Sequence, residues 1–143
     1  MPYTNIHNIP EPLATALATN THDKGDAHIS VTSLWKSPQM VHLTAQHEHE
    51  IFIDIDNLVP SFIGTAVHKY IESLDRSRVK EIRLFSTIEG ITFSGQFDRY
   101  EMDGAIIQDY KVTSAKSFMY ERHRSDWENQ LNSYAYQIGR AHV

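Results

Sequence analysis

Residues Glu81–Lys111, EIRLFSTIEGITFSGQFDRYEMDGAIIQDYK, set the architecture of this chain. Three segments in it, Glu81–Glu89, Ile91–Glu101 and Ala105–Val112, are rich in β-branched and aromatic residues and read as strands. Glu89-Gly90 and Asp103-Gly104 separate them, and Asp-Gly is a strong two-residue hairpin signal. The pattern predicts an antiparallel meander. Strand alternation places Ile91, Phe93, Gly95 and Phe97 on one face of the middle strand, with Gln96 and Asp98 on the other. In the third strand Ile107, Asp109 and Lys111 share a face.

Helices are expected on both sides of the meander. In Ser61–Leu74, Ile63, Val67, Ile71 and Leu74 fall at helical spacing and form an apolar stripe. Gly64, His68 and Glu72 line up beside it at i, i+4 and i+8. A last helix is predicted from about Asp126 to Gly139, with Trp127, Leu131, Tyr134 and Ile138 as its apolar stripe. Ser125 and Glu128 match a capping box at its start. Residues 1–27 are the least regular, with a polar loop at Asn20–Asp26. Short helices are expected near Pro12–Ala18, from Thr32–Trp35, and from Pro38 to about Glu50. The fold expected is α/β: a small central mixed β-sheet with an antiparallel meander, flanked by helices. Residues 1–143 form one domain, with a motif core at about 61–138 and a helical or irregular lead-in at 1–60.

The chain has 143 residues, the length of one domain. It has no cysteine, which excludes a disulfide framework, an iron–sulfur cluster, a cysteine nucleophile and a thiolate zinc site. No apolar run reaches the length of a membrane span and the N-terminus lacks a signal-peptide core, so a reducing intracellular compartment is the expected location. A net charge of −5 argues against a broadly basic nucleic-acid coat. It leaves room for a nucleic-acid enzyme, because metal-binding carboxylates contribute to that total.

Phosphodiester hydrolysis needs a hard divalent cation, an activated water and a group that offsets developing charge. Mg²⁺ takes oxygen ligands, commonly one or two carboxylates. A lysine beside it orients the water and counters phosphate charge. Asp98 at the end of one strand and Asp109-Tyr110-Lys111 on the next bring these parts together, with His68 and Glu72 on a helix that can cover them. A carboxylate within the apolar run Ala105–Asp109 is costly unless paired or metal-bound.

The set Gly64-Thr-Ala-Val-His68, Gly95-Gln-Phe-Asp98, Asp109-Tyr110-Lys111 and Gln130-Leu-Asn-Ser-Tyr134 resembles the RecB-like branch of the PD-(D/E)XK nuclease superfamily. It looks most like the small stand-alone exonucleases of phages. Ile29-Ser-Val-Thr-Ser-Leu-Trp35 is similar to the hydroxyl-rich lead-in of that branch. The resemblance implies a restriction-endonuclease-like core and a Mg²⁺- or Mn²⁺-dependent DNase, acting by default on the ends of linear DNA. His68, Asp98, Asp109 and the Tyr110 main-chain carbonyl would be metal ligands and Lys111 the catalytic lysine. Glu72 would bind the metal through water or support its ligands, and Gln130 and Tyr134 would contact DNA or brace Lys111. The implied partners are linear double- or single-stranded DNA, with a homo-oligomer or a recombination protein as further candidates, in the cytoplasm of a bacterial or phage-infected cell. Relatives in this branch usually continue past the last motif helix, so a minimal or shortened version of the fold is expected.

Lys116, Arg122 and Arg124 lie between the catalytic strand and the last helix, with Glu121 the only acid among them, and are the candidate phosphate contacts. Phe118, Tyr120 and Trp127 could stack on unpaired bases, with core packing the preferred reading of Trp127. The alternative from another class is a non-cleaving DNA-binding or assembly module that keeps the fold. A third reading, a zinc hydrolase built on His47 and His49, lacks HExxH spacing and an obvious third ligand, so a solvated helix end is the preferred account of them. His22, His28 and His142 fall in loops or near the terminus.

Overall fold

A computed structural model describes residues 2–19, 25–76 and 79–140; His22 and His142 lie outside it. The element order is β1 (Tyr3–Thr4), α1 (Glu11–Ala18), β2 (Ile29–Ser30), α2 (Val31–Leu34), α3 (Pro38–Gln46) and β3 (Ile53–Asp54). A 3-10 turn (Ile55–Leu58) leads into α4 (Val59–Leu74). Then come β4 (Arg83–Ile88), β5 (Ile91–Gln96), β6 (Arg99–Glu101), β7 (Ile106–Gln108), α5 (Ala115–Met119) and α6 (Arg124–Arg140). The chain is α/β, with mixed and antiparallel sheets flanked by helices, and no helix of the described residues is long and apolar enough to cross a membrane.

The β4–β5 hairpin forms as expected, from Ile88↔Ile91 down to Arg83↔Gln96. Glu89 and Gly90 both have positive φ, 49° and 82°, which is the backbone of a type I′ turn. The second connection differs from the expected two-residue turn. Four residues, 102–105, join β6 to β7, and Ala105 rather than Gly104 takes the positive φ. The middle strand also breaks, at Phe97-Asp98. Its first half pairs with β4 and its second half, β6, pairs with β7. The β4–β5 register nonetheless continues through the break: Glu81 N–H donates to Asp98 O at 3.1 Å and Lys80 bridges Arg99. The break is therefore a bend without a slip, and Glu81, at φ 51°, sits opposite Asp98 within it.

A strand that the sequence pattern hid completes the central sheet. β2 pairs parallel with β5, Ile29↔Phe93 and Ser30↔Ser94, so the order is β2-β5-β4. Two residues are too few to show alternation, and the segment reads from sequence as a helix lead-in. Val31, Phe93, Phe97 and Tyr134 form the buried cluster between this sheet and α6, with Leu131 and Ile138 packed against it. A second cluster of Ala14, Leu17 and Ile55 seats the start of α4.

Two helix expectations are corrected. α6 begins at Arg124, so Ser125 is inside it and is no N-cap, and Glu128 accepts from Arg124 Nε at 2.9 Å instead of closing a capping box. The apolar stripe of α4 is not core-facing: Ile63, Val67 and Leu74 are exposed at 47%, 36% and 63%, and no residue of α4 is fully buried. Polar ties hold its later turns, where Lys80 Nζ donates to the Glu72 and Asp75 carbonyls at 2.7 Å each and so caps the C-terminal end.

Gly95 sets how closely α6 approaches the sheet. A Cβ there would lie 2.5 Å from Tyr134 Cε1 and 2.7 Å from Gln137 Oε1. Both neighbours are almost fully buried and have little room to move. Gly95→Ala is expected to lower stability by about 1–3 kcal/mol, read as a lower urea midpoint at unchanged slope. An unchanged midpoint would mean that α6 packs farther from β5 than described.

Candidate metal centre

At the bend, Phe97 and Asp98 face opposite sides of the strand. Phe97 is 2% exposed and is drawn into the core beside Tyr134. The next side chain turns the other way and ties three elements together. Asp98 Oδ1 lies 2.9 Å from His68 Nδ1 on α4, and Asp98 Oδ2 accepts the Tyr110 main-chain N–H. Asp109–Lys111 therefore lie just past the end of β7, their backbone held by a side chain rather than a neighbouring strand. The third strand thus stops short of the expected Val112, and Asp109 and Lys111, outside it, form an ion pair.

These groups line a cleft of about 490 Å³ between α4, the β4–β5 face and α6. His68, Glu72, Asp98, Asp109, Lys111, Gln130 and Tyr134, all nominated from sequence, border it. Gly64 borders it too, one turn before His68, with nothing outside its own stretch of helix within 4 Å of where its Cβ would be. Gln130 and Tyr134 are buried and bond to each other, Gln130 Nε2 donating to Tyr134 OH. Tyr110 adds no ring to the cleft wall; it meets His68 edge-on at 6.5 Å. Lys116, Arg122 and Arg124 lie outside the cleft. Arg124 pairs with Glu121 and Glu128, at 2.9 Å each.

Glu81 is the residue that sequence reasoning missed. Its carboxylate accepts from Gln96 Nε2, and Gln96 Oε1 in turn accepts from Arg83 Nη2 at 2.9 Å. Among the described residues, His68, Glu81 and Asp98 form the one group of three or more metal-ligating side chains, with ligand atoms all within 4.8 Å of one another. The signal was available. The Glu89-Gly90 turn fixes Ile88 opposite Ile91, and counting seven places down each strand reaches Glu81 opposite Asp98. The Asp109 carboxylate is instead engaged by Lys111. His47 and His49 each lie 3.2 Å from Glu50 on the exposed stretch after α3, but these three do not bring their ligand atoms within 4.8 Å of one another.

The electrostatics suit a cation. Burial pushes the Glu81 carboxyl above its usual range, and the neighbouring Asp98 and Glu72 charges push the same way against the Gln96 hydrogen bond. Burial likewise raises Asp109, opposed by Lys111 and reinforced by Asp98. Burial and the same two aspartates hold the Tyr134 phenol well above its usual range, so it stays a neutral hydrogen-bonding group. Crowded carboxylates of this kind are relieved by a bound cation. One imidazole beside two carboxylates fits a divalent ion, and the nitrogen suits Mn²⁺ better than Mg²⁺, which favours an all-oxygen shell.

The shifts carry a sign. Glu81 and Asp109 have raised folded pKa values, so above about pH 4 these two groups hold more protons in the metal-free fold than in the unfolded chain. Their contribution is then greatest below the unfolded values and falls as pH rises through the folded ones. Glu81→Gln should flatten that fall in EDTA. It should also weaken Mn²⁺ binding about tenfold or more, removing at least about 1.4 kcal/mol of the stabilisation seen at saturating Mn²⁺. Thermal unfolding against pH and Mn²⁺ measures both, and equal Mn²⁺ stabilisation in the two proteins would exclude Glu81 as a ligand.

No family model, curated protein or solved structure matches the chain, and its function is read from the chemistry of this cleft.

Proposed function

We propose that the protein is a divalent-cation-dependent DNA nuclease of the PD-(D/E)XK type, cutting phosphodiester bonds in this cleft. One observation carries the reading. A His-Glu-Asp group suited to a cation and an Asp109–Lys111 pair face the same cleft from different elements. His68, Asp98 and Glu81 would hold the ion, with Asp109 close by and Glu72 at the rim. A divalent ion held there would offset charge on the phosphate and lower the pKa of a water, making hydroxide available as the nucleophile.

The remaining roles belong to the chain. Lys111 presents an ammonium, held in place by Asp109, that offsets charge on the phosphate and orients the attacking water. Asp98 fixes His68 on one side and the Tyr110 backbone on the other, so the Lys111 stem leaves from an anchored residue. Open space over Gly64 lets a nucleic-acid backbone approach α4 beside His68. Gln130 and the neutral Tyr134 close the far wall with a mutual hydrogen bond. End-directed cleavage of linear DNA is the preferred mode, resting on the motif resemblance. A non-cleaving binding module has no need of the Asp109–Lys111 pair.

Lys111→Ala should lower turnover of linear DNA about 10²–10³-fold while leaving DNA affinity within a few-fold. A binding module would show no turnover to lose. The assay is gel analysis of end-labelled duplex and single strands in Mg²⁺, Mn²⁺ or EDTA, beside equilibrium binding in EDTA. Cleavage that persists in EDTA, or is untouched by Lys111→Ala, would contradict the proposal.

A further inference from the structure

The segment between Lys111 and Gln130 leaves the cleft and returns to it, since both of those residues line it. All of residues 112–124 are exposed except Ser117. Three consecutive large apolar side chains stand out there, Phe118, Met119 and Tyr120, at 72%, 72% and 68% exposure. Arg122 lies over the Tyr120 ring, its guanidinium carbon 5.9 Å from the centroid. Arg124, through Glu121 and Glu128, fastens the turn to α6, which leaves Lys116 and Arg122 as the cations beside the aromatics. In a chain of net charge −5, residues 111–124 hold four Lys or Arg against one acid.

We propose that this segment is the docking surface for an unpaired DNA strand, which it delivers to the cleft; the ligand's identity rests on the nuclease reading. Aromatic faces this open match the faces of unpaired bases, whereas a duplex offers only base edges and backbone. Lys116 and Arg122 supply the phosphate complement. The distance is suitable. Three linking residues and the one-turn α5 keep Phe118 within about 20 Å of Lys111, and Arg124 is about 9 Å along the α6 axis from Gln130. The enzyme would therefore favour single strands, frayed ends or overhangs over blunt duplex.

The test is fluorescence anisotropy of a labelled 20-nucleotide oligo-dT and of a blunt duplex of equal length, in EDTA to prevent cutting. Wild type should bind the single strand more tightly. Phe118→Ala/Tyr120→Ala should weaken single-strand binding about 10–100-fold and change duplex binding far less. Lys116→Ala/Arg122→Ala should reduce the slope of log affinity against log salt by about 1.4. These side chains are exposed, and unchanged thermal unfolding confirms intact variants. Single-strand affinity unchanged in the aromatic variant, or an equal loss on duplex, overturns the proposal. So does loss of binding to anionic phosphatidylserine vesicles with DNA binding intact, which would make the patch a membrane contact. Cleavage in Mg²⁺ or Mn²⁺ is measured in parallel. Binding lost in the variant with no cleavage by wild type removes the nuclease reading and keeps the surface; cleavage with unaltered binding removes the surface alone.

Discussion

The Asp98 carboxylate is the interaction on which the rest depends. Its side chain is 10% exposed, and each oxygen has its own partner, His68 on α4 and the Tyr110 backbone beyond β7. A buried carboxylate is tolerable only with such bonds. Having them, it sits at the bend of the middle strand and holds the Tyr110 backbone just past the end of β7. It also ties α4 to the bend through His68, so one side chain joins three elements that border the cleft.

This makes site and fold interdependent. α4 contributes no fully buried side chain, and it is held by the second core cluster at its start and by His68 and Lys80 further along. Most helices dock through apolar burial, worth roughly 25 cal/mol per Å². Here polar ties carry much of that task beside a cluster of carboxylates that repel one another. A cation between them would turn the repulsion into cohesion. The metal-free fold is thus expected to be least secure around this cleft, a common arrangement at functional sites.

Much of this was legible in the residues. Glu89-Gly90 specified a turn with two positive φ angles, and alternation correctly separated the Phe93, Gly95 and Phe97 face from Gln96 and Asp98. The i, i+4, i+8 stripe of Gly64, His68 and Glu72 does border the cleft. What escaped was non-local. β2 is strand-like only because β5 lies beside it, and nothing within Ile29-Ser30 announces that. The bend at Asp98 is accompanied by a hydrogen bond to Tyr110, twelve residues on. The α4 stripe had the period of a buried face, but periodicity says which residues share a side and not whether anything covers it. Glu81 was recoverable by counting register, which matters more for a site than composition does.

The central claim, that His68, Glu81 and Asp98 form the cation site of a phosphodiesterase cleft, is tested most directly by diffraction. Crystals grown with Mn²⁺ and measured near the manganese absorption edge locate the ion without reference to activity. The account predicts an anomalous peak in contact with His68, Asp98 and Glu81, on the Lys111 side of α4. No peak there at saturating Mn²⁺, or one at His47 and His49 instead, would contradict it.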